Sequence, residues 1–288
     1  MFSNIRATGL VADYLSLTKP RTLLLHIPVV AATLVLATGG LSIGPVLISV
    51  LFGGGLLAAS ANALNCYFDR DVDASMKRTK DRPLPTGRLD AGDAFRFGFG
   101  LGVLGFTLLL FWSGLQIALL AFTGFFFYVV VYTRLLKRRT FLSSIIGSIA
   151  GAMPPIVAWV AFTGAISFVP IILGAIIILW TPPHYWALAL HRRNEYEKSG
   201  ILSLPSNHVK IWLYVFSVSL VAATILLGLV AGFGFVYYSI ALAAGVILLF
   251  LVVRAVGNAQ AKAQVVLFAY SIAYVVLIFS AMILDKLI

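Results

Sequence analysis

The sequence of 288 residues has little charge and almost no cysteine. Only 11% of its residues are charged, whereas 61% are hydrophobic and the mean hydropathy is +1.01. Because so few polar groups cannot cover the surface of a soluble globule of this length, that class of protein is excluded. The single cysteine, Cys66, excludes a disulfide bond within the chain. The composition therefore indicates a membrane protein.

Long stretches without Asp, Glu, Lys or Arg predict the membrane spans. These stretches are 47, 37, 52, 43 and 22 residues long and cover residues 22–68, 97–133, 140–191, 211–253 and 263–284. Since a spanning helix needs about 20 apolar residues, the first four stretches hold two helices each and the last holds one. Turns between paired helices are expected at Gly39–Gly40, Ser113–Gly114, Thr163–Gly164 and Gly232–Phe233–Gly234. The prediction is an all-α polytopic membrane protein with nine transmembrane helices and one domain over residues 1–288.

The basic residues are distributed unevenly along the chain. Of the 21 Lys and Arg residues, only Lys286 lies outside the N-terminal segment and four charged loops, near 69–96, 134–139, 192–210 and 254–262. Because cytoplasmic loops carry the excess of Lys and Arg, we expect the N-terminus inside the cell and the C-terminus outside. The net charge of +11 then follows from topology and from attraction to anionic membrane lipids. We therefore expect no nucleic-acid partner.

Small residues and prolines within the spans indicate where helices pack closely or are interrupted. Gly53–Gly55, Ser60 and Gly147 favour close contact between helices. Pro182–Pro183 are expected to break the hydrogen-bond ladder of the sixth span and to redirect the residues that follow.

An amide and two acidic residues recur at helical spacing where the second span ends. Asn65, Asp69 and Asp73 are four residues apart, so they lie on one face of a helix that continues out of this span, whereas Asp71 points roughly the opposite way. Their oxygens suit Mg²⁺, which takes one or two carboxylates together with phosphate oxygens of a substrate. The spacing therefore predicts a site for Mg²⁺ and a phosphate-bearing ligand at the membrane boundary.

Basic residues near this stripe supply the charge that a diphosphate would need. Arg78 and Arg82 follow in the same loop, and Lys137 and Arg138 lie in the next charged loop. We expect these side chains to bind a departing diphosphate. The alternative is that the acidic residues only neutralise a basic loop. Polar groups beside hydrocarbon are costly unless they serve a site, which favours the binding site.

Four separated segments resemble the intramembrane prenyltransferases, the superfamily of 4-hydroxybenzoate polyprenyltransferase. They begin at Asn65, Tyr132, Gly151 and Trp180, and read NCYFDRDVDASMKRTKDRPLPTG, YTRLLKRRT, GAMPP and WTPPHYWALAL. In finer detail they are similar to the protohaem IX farnesyltransferase, or haem O synthase, family within that superfamily. The resemblance extends from Leu17 to Pro205, and beyond it only the hydropathy is similar. It implies nine helices around a central cavity.

The resemblance also implies a reaction. In that family the farnesyl group of farnesyl diphosphate is transferred to a vinyl group of haem B, with addition of water, giving haem O and diphosphate. The implied cofactor is Mg²⁺, with farnesyl diphosphate and haem B as substrates. The implied catalytic residues are Asn65, Asp69, Asp73, Tyr132 and Lys137.

The second acidic motif of the superfamily corresponds to residues 191–205, which read HRRNEYEKSGILSLP. Here Glu195 is the predicted further metal ligand, and Lys198 is a predicted diphosphate ligand. The segment departs from the usual pattern of the family at Ser199 and at Leu202–Ser203.

Two histidines in the spans are candidate haem-binding residues. A histidine in a membrane helix is rare and usually functional. His184 follows Pro182–Pro183, and two interpretations remain open: a bond to a carbonyl that the prolines free, or contact with haem iron or a propionate. For His26 in the first span, a ligand role and a packing role also remain open.

The resemblance implies an integral protein of a prokaryotic cell membrane with its active site on the cytoplasmic side. Haem A synthase or the assembly of a terminal oxidase would then use the product and are candidate partners. Two other functions remain open, namely prenyl transfer to a quinone precursor or another lipid, and secondary transport. The charges cluster at the membrane surface instead of the midplane, which argues against transport.

Overall fold

The computed structural model describes residues 9–40, 44–202, 206–257 and 261–288, and these contain helices and turns but no strand. Parts of the predicted loops at 192–210 and 254–262, and of the segment 191–205, lie outside the described residues. The helices are α1 (Leu10–Leu17), α2 (Pro20–Leu23), α3 (His26–Thr38), α4 (Pro45–Phe68), α5 (Arg70–Ser75), α6 (Ala91–Ser113), α7 (Leu115–Phe126), α8 (Ser143–Thr163), α9 (Phe168–His191), α10 (Arg193–Lys198), α11 (Ser206–Ala231), α12 (Phe235–Gly257) and α13 (Ala261–Leu287). A π-helical segment, Phe127–Leu136, extends α7.

Nine helices of the described chain are long and apolar enough to cross a membrane, which confirms the predicted number. The first span combines α2 and α3, and the fourth combines α7 with the π-helical segment. The predicted turns are also confirmed, because helices end directly before Gly39, Gly114, Gly164 and Gly232. All four glycines have positive φ values, between 63° and 88°, which glycine adopts at little cost. Three predictions stay untested by the structure: the orientation of the bundle in the membrane, the central cavity and the single domain.

Two apolar clusters hold the bundle together, and α3 contributes to both. Val29 and Ala32 join the larger cluster, with side chains of α9, α11, α12 and α13. Val30 joins the smaller cluster, with side chains of α4, α6, α7 and α8. The first span therefore lies between the two halves of the bundle.

The close packing of α4 against α6 depends on glycines, which have no side chain at the contact. A Cβ atom on Gly105 would lie 2.7 Å from the Gly53 carbonyl oxygen and 2.8 Å from the Leu57 nitrogen. The Ser60 hydroxyl donates a 2.6 Å hydrogen bond to the Gly98 carbonyl. Close packing is thus confirmed at Gly53 and Ser60, whereas a Cβ on Gly54 or Gly55 would contact no neighbouring atom. The predicted close contact at Gly147 is also confirmed, with the Tyr132 ring.

Two details of the sequence prediction are wrong. The charged loop predicted at 69–96 ends earlier, because the Asp90 side chain caps α6 by accepting hydrogen bonds from the backbone nitrogens of Gly92 and Asp93. The expected break at Pro182–Pro183 is absent, since α9 is one helix from Phe168 to His191. A helix that continues past the prolines keeps the hydrogen bonds of its other backbone N–H and C=O groups. A break in the helix would leave more of these groups without hydrogen bonds in lipid.

Candidate active site

Asn65, Asp69 and Asp73 form one buried stripe, here called the acidic stripe, where α4 passes into α5. Asp69 joins the two helices, and the i to i+4 hydrogen bonds continue across it, from Asp69 N to Asn65 O at 2.9 Å and from Asp73 N to Asp69 O at 2.7 Å. The side chains are therefore one helical turn apart. All three residues are buried, with exposed fractions of 4%, 2% and 6%. Asp71 instead lies on the exposed side of α5.

The Asn65 amide uses both of its ends within this network. Its Nδ2 atom donates to Asp69 Oδ2 at 2.7 Å and to Thr133 Oγ1 at 3.0 Å. Its Oδ1 atom accepts a hydrogen bond of 2.7 Å from Lys19 Nζ. Sequence reasoning missed Lys19 and Thr133 as site residues. The segment LTKPR, at the start of the family resemblance, was the available signal for Lys19, whereas Thr133 had none.

Lys19 reaches Asn65 from a strained turn between α1 and α2. With φ 52° and ψ 61°, it is the one non-glycine residue with positive φ in the described chain. Two hydrogen bonds hold this turn. Asn62 Nδ2 donates to the Thr18 carbonyl at 2.9 Å, and Thr22 Oγ1 donates to the Lys19 carbonyl at 2.8 Å. A strained residue held by its surroundings is typical of functional sites.

The π-helical segment brings two further side chains to the acidic stripe. Its wider turn lets Thr133 Oγ1 donate to the Tyr128 carbonyl, five residues earlier, at 2.8 Å. At its end, Lys137 Nζ lies 2.5 Å from Asp69 Oδ2, and the Lys137 side chain is only 14% exposed. Short π-helical turns are frequent at functional sites, where they change the direction of side chains.

Two further ion pairs join the predicted cations to acidic residues. Arg82 Nη1 lies 2.7 Å from Asp73 Oδ2. Arg138 donates two hydrogen bonds to the exposed Asp71 carboxylate, at 2.7 and 2.6 Å. The Arg138 hydrogen bonds lower the pKa of Asp71, and the same contact raises the pKa of Arg138. Three of the four predicted diphosphate-binding cations of these loops therefore contact acidic residues of α5 or of its junction with α4.

One buried oxygen of the acidic stripe lacks a hydrogen-bond partner among the described residues. Asp69 Oδ1 is buried and forms no hydrogen bond within the described chain. Since a buried carboxylate oxygen is costly to leave without a partner, this atom points to a ligand. A carboxylate, a neighbouring carboxylate and an amide oxygen are the donor types that Mg²⁺ takes. The donor types present therefore suit a divalent cation, and Asp69 Oδ1 is the candidate ligand atom.

Glu195 lies on α10, which packs against α5. Tyr196 belongs to the same apolar cluster as Val72 and Met76, and its burial raises the pKa of its hydroxyl. Glu195 Oε1 accepts from Arg192 at 3.1 Å, whereas its buried Oε2 has no hydrogen-bond partner among the described residues. The described residues contain no group of three or more His, Cys, Asp or Glu side chains placed to hold a metal. Glu195 is thus not assembled with Asp69 and Asp73, and its role as a metal ligand stays a prediction.

Tyr132 and the remaining cations lie around the acidic stripe. The Tyr132 ring stacks on Tyr128 with centroids 5.6 Å apart, and Lys137 Nζ lies 5.8 Å from its centroid. Asp69, Arg78 and Tyr196 are close enough to Tyr132 to interact electrostatically. Arg78 and Lys198 are exposed and form no ion pair within the described chain.

The two histidines differ in their surroundings. The His184 ring lies between Trp180 and Phe268, with centroids 4.7 and 4.5 Å away, and its Nδ1 atom is 2.8 Å from the Ser271 hydroxyl. Its partners thus belong to α13, the Ser271 hydroxyl and the Phe268 backbone, and are not a carbonyl that the prolines of α9 free. His26 is half-buried at the start of α3 and has no hydrogen bond to any described residue.

Nine spans, and a buried acidic stripe with its cations at one end, define a polytopic helical membrane protein with a candidate site for a divalent cation and a phosphate-bearing ligand. The chain belongs to the UbiA prenyltransferase family, whose profile matches residues 25–280. This confirms the superfamily inferred from the four segments.

The chain is similar to individual members of this family. It is 40% identical over 285 residues to a protein named Protoheme IX farnesyltransferase from Trichormus variabilis, covering 96% of this chain and 89% of that protein. A solved structure described as digeranylgeranylglyceryl phosphate synthase has a TM-score of 0.78 at 18% identity, covering 96% of this chain and 98% of the other. A UbiA homolog from Archaeoglobus fulgidus, bound to GPP and Mg²⁺, has a TM-score of 0.65 at 18% identity, covering 91% and 99%. The two structures have the same fold as this chain.

Proposed function

We propose that this protein transfers the farnesyl group of farnesyl diphosphate to a vinyl group of haem B, giving haem O and diphosphate. The relative from Trichormus variabilis, named Protoheme IX farnesyltransferase, supports this reaction through 40% identity over nearly the whole chain. The Archaeoglobus fulgidus homolog, bound to GPP and Mg²⁺, supports a prenyl diphosphate and Mg²⁺ as ligands of the shared fold.

The observation that carries the proposal is the buried Asp69 carboxylate. Its Oδ2 atom accepts hydrogen bonds from Asn65 and Lys137, whereas its Oδ1 atom has no partner among the described residues. Asn65, Asp69 and Asp73 would hold Mg²⁺, and Glu195, which is not assembled with them, stays a predicted further ligand. A divalent cation held there supplies Lewis-acid stabilisation of the leaving diphosphate.

The cations of this chain stabilise the negative charge of the substrate. Lys137 and Arg82 already lie against Asp69 and Asp73, at the edge of the acidic stripe. Ion pairs with acidic residues already hold the side chains of Lys137, Arg82 and Arg138 in place. These side chains therefore lose little conformational freedom when a diphosphate binds. Arg78 and Lys198 are exposed and complete the set. The Tyr132 hydroxyl would donate a hydrogen bond to a diphosphate oxygen.

The reaction then breaks the bond between farnesyl C1 and the diphosphate oxygen. A new carbon–carbon bond joins C1 to the terminal carbon of the vinyl group, whose electron pair supplies it. Water adds to the other vinyl carbon and loses a proton, leaving a hydroxyl group. Exclusion of bulk water by the helices around the acidic stripe limits hydrolysis of the allylic cation before transfer.

We also propose where the substrates and the protein lie. His184 and His26 are the candidate contacts for haem B, since both lie within membrane spans. The acidic stripe would face the cytoplasm of a prokaryotic cell, because its end of the bundle carries the basic loops. Haem A synthase or the assembly of a terminal oxidase would take up the product.

The test is the mass of haem extracted after incubating purified protein with haem B, Mg²⁺ and farnesyl diphosphate. We expect a product heavier than haem B by one farnesyl group and one hydroxyl group, formed only when all three are present. Transfer to a quinone precursor with no change in haem would contradict the proposal. Flux of a solute into liposomes without release of diphosphate would indicate a transporter instead.

A further inference from the structure

Ser271, on α13, contacts His184 and lies far along the chain from every residue discussed for the diphosphate. It is 1% exposed, and its Oγ atom lies 2.8 Å from His184 Nδ1. The same Oγ atom lies 2.7 Å from the Phe268 carbonyl, three residues earlier. Ser271 also positions Trp180, whose Nε1 atom donates a 2.6 Å hydrogen bond to the Ser271 carbonyl. One residue therefore holds both the histidine and an aromatic ring stacked on it.

The two Ser271 contacts determine which histidine nitrogen carries the proton. A hydroxyl has a single proton, and the Phe268 carbonyl can only accept, so the Ser271 proton is donated to that carbonyl. Ser271 Oγ is then the acceptor toward His184, and Nδ1 of the neutral ring must carry the proton. Nε2 is therefore left with a lone pair.

The surroundings of the His184 ring leave only one position for a further ligand. Trp180 and Phe268 cover its two faces at centroid distances of 4.7 and 4.5 Å. Nδ1 is occupied by Ser271, and Nε2 forms no hydrogen bond with any described residue. An electron-pair acceptor can thus approach only along the Nε2 edge.

We infer that Ser271 is a positioning residue that fixes His184 with its Nε2 lone pair presented to the iron of the haem substrate. This inference rests on the proposed function, which makes haem B the acceptor. Histidines that bind metals commonly donate their other N–H to a fixed acceptor, which sets the tautomer and orients the ring. Here the acceptor is a hydroxyl on another helix, so α9 and α13 together define the direction of the lone pair.

The test compares haem B titrations of the purified full-length protein, followed by the Soret absorbance. Ser271→Ala removes the acceptor, and we expect the Kd for haem B to rise about tenfold with a Soret band shifted toward that of His184→Ala. Binding of farnesyl diphosphate should stay unchanged. Ser217→Ala is the matched control, because Ser217 is also fully buried in a span but has no hydrogen-bond partner in the described chain. This control should bind haem B like the wild type.

Ser271→Cys keeps nearly the same volume with a weak acceptor, so it serves if the alanine variant does not fold, and it too should bind haem B more weakly. Wild-type affinity and spectrum in the Ser271 variants would overturn the inference, as would equal losses in Ser217→Ala. If the Ser271 variants bind haem B normally while the wild type makes haem O, only this inference fails. If the wild type neither binds nor converts haem B, the proposed function fails with it.

Discussion

Lys137 Nζ lies 2.5 Å from Asp69 Oδ2, although 68 residues separate them in the chain. Asn65 Nδ2 donates to the same oxygen, so one carboxylate oxygen has two partners, whereas the other, Oδ1, has none among the described residues. Lys137 and a divalent cation would therefore share one carboxylate. Their like charges would make the affinity for the metal depend on the lysine.

Asp69→Asn should reduce farnesyl transfer by about 100-fold or more, because it removes the charge of the central candidate ligand and leaves Lys137 without its anion. The rate of haem O formation and the affinity for Mn²⁺, measured by electron paramagnetic resonance, should both fall. The matched control is Asp93→Asn, since the half-exposed Asp93 pairs with Arg96 at the start of α6 and lies off the acidic stripe. Equal losses in the two variants would contradict a special role for Asp69.

Lys137→Met should weaken the binding of farnesyl diphosphate and strengthen the binding of the divalent cation. The loss of a charged hydrogen bond to phosphate raises KM for farnesyl diphosphate by about tenfold. Without substrate, the apparent Kd for Mg²⁺ should fall, because a cation 2.5 Å from Asp69 has been removed. A weaker affinity for both ligands would show that Lys137 supports the site only structurally. Arg139→Met is a control in the same turn, where no ion pair with a described residue is lost.

The sequence predicted the spans and the acidic stripe well, because both depend on local spacing. Uncharged runs reveal spans without tertiary information, and the turns at Gly39, Gly114, Gly164 and Gly232 need a residue that tolerates positive φ. Likewise, Asn65, Asp69 and Asp73 lie on one face because residues four apart always do on a helix.

The partners of that stripe could not be predicted from the sequence, since they depend on contacts between distant elements. Lys19 and Thr133 contact Asn65 across 46 and 68 residues. The direction of Thr133 depends on a π-helical turn, which an uninterrupted apolar segment does not reveal. Capping by Asp90 was visible as an acidic residue before Ala91, but the charges at Asp93 and Arg96 concealed the helix that it begins.

The ion pair of Asp71 with Arg138 should stabilise the protein only above acidic pH. Arg138 lowers the pKa of Asp71 from its ordinary value of 3.8. As the pH falls, Asp71 therefore binds its proton in the unfolded chain before it does so in the folded protein. The stabilisation is complete above pH 3.8 and disappears as the pH falls through the lowered pKa of the folded state. Its size should be below about 1 kcal/mol, since the two side chains are 62% and 43% exposed. Thermal unfolding of Asp71→Asn and wild type should differ slightly at neutral pH and converge at acidic pH.

Gly105→Ala should destabilise the packing of α4 against α6 by about 1–3 kcal/mol, because the added Cβ would lie 2.7 Å from the Gly53 carbonyl oxygen. Denaturant unfolding in detergent is the measurement. Gly100→Ala is the control in the same helix, where a Cβ would meet nothing within 4 Å. That variant should be more stable than the wild type by about 0.5–1 kcal/mol. Equal stability of the two variants would contradict the contact.

Asp285→Ala should lower stability without changing the chemistry, because Asp285 lies at the end of the bundle opposite the acidic stripe. Its Oδ2 and Oδ1 atoms accept hydrogen bonds from the backbone nitrogens of Gly234 and Tyr237, at 2.7 and 3.0 Å. The C-terminal helix α13 thus caps the first turn of α12, so we expect a loss of about 1 kcal/mol in the free energy of unfolding.

The kcat of the Asp285→Ala protein that remains folded should match that of the wild type. Asp285→Asn keeps one acceptor oxygen and should lose less stability than the alanine variant. If Asp285→Ala lowered kcat as strongly as Asp69→Asn, the two ends of the bundle would be coupled, and assigning the chemistry to the acidic stripe alone would be wrong.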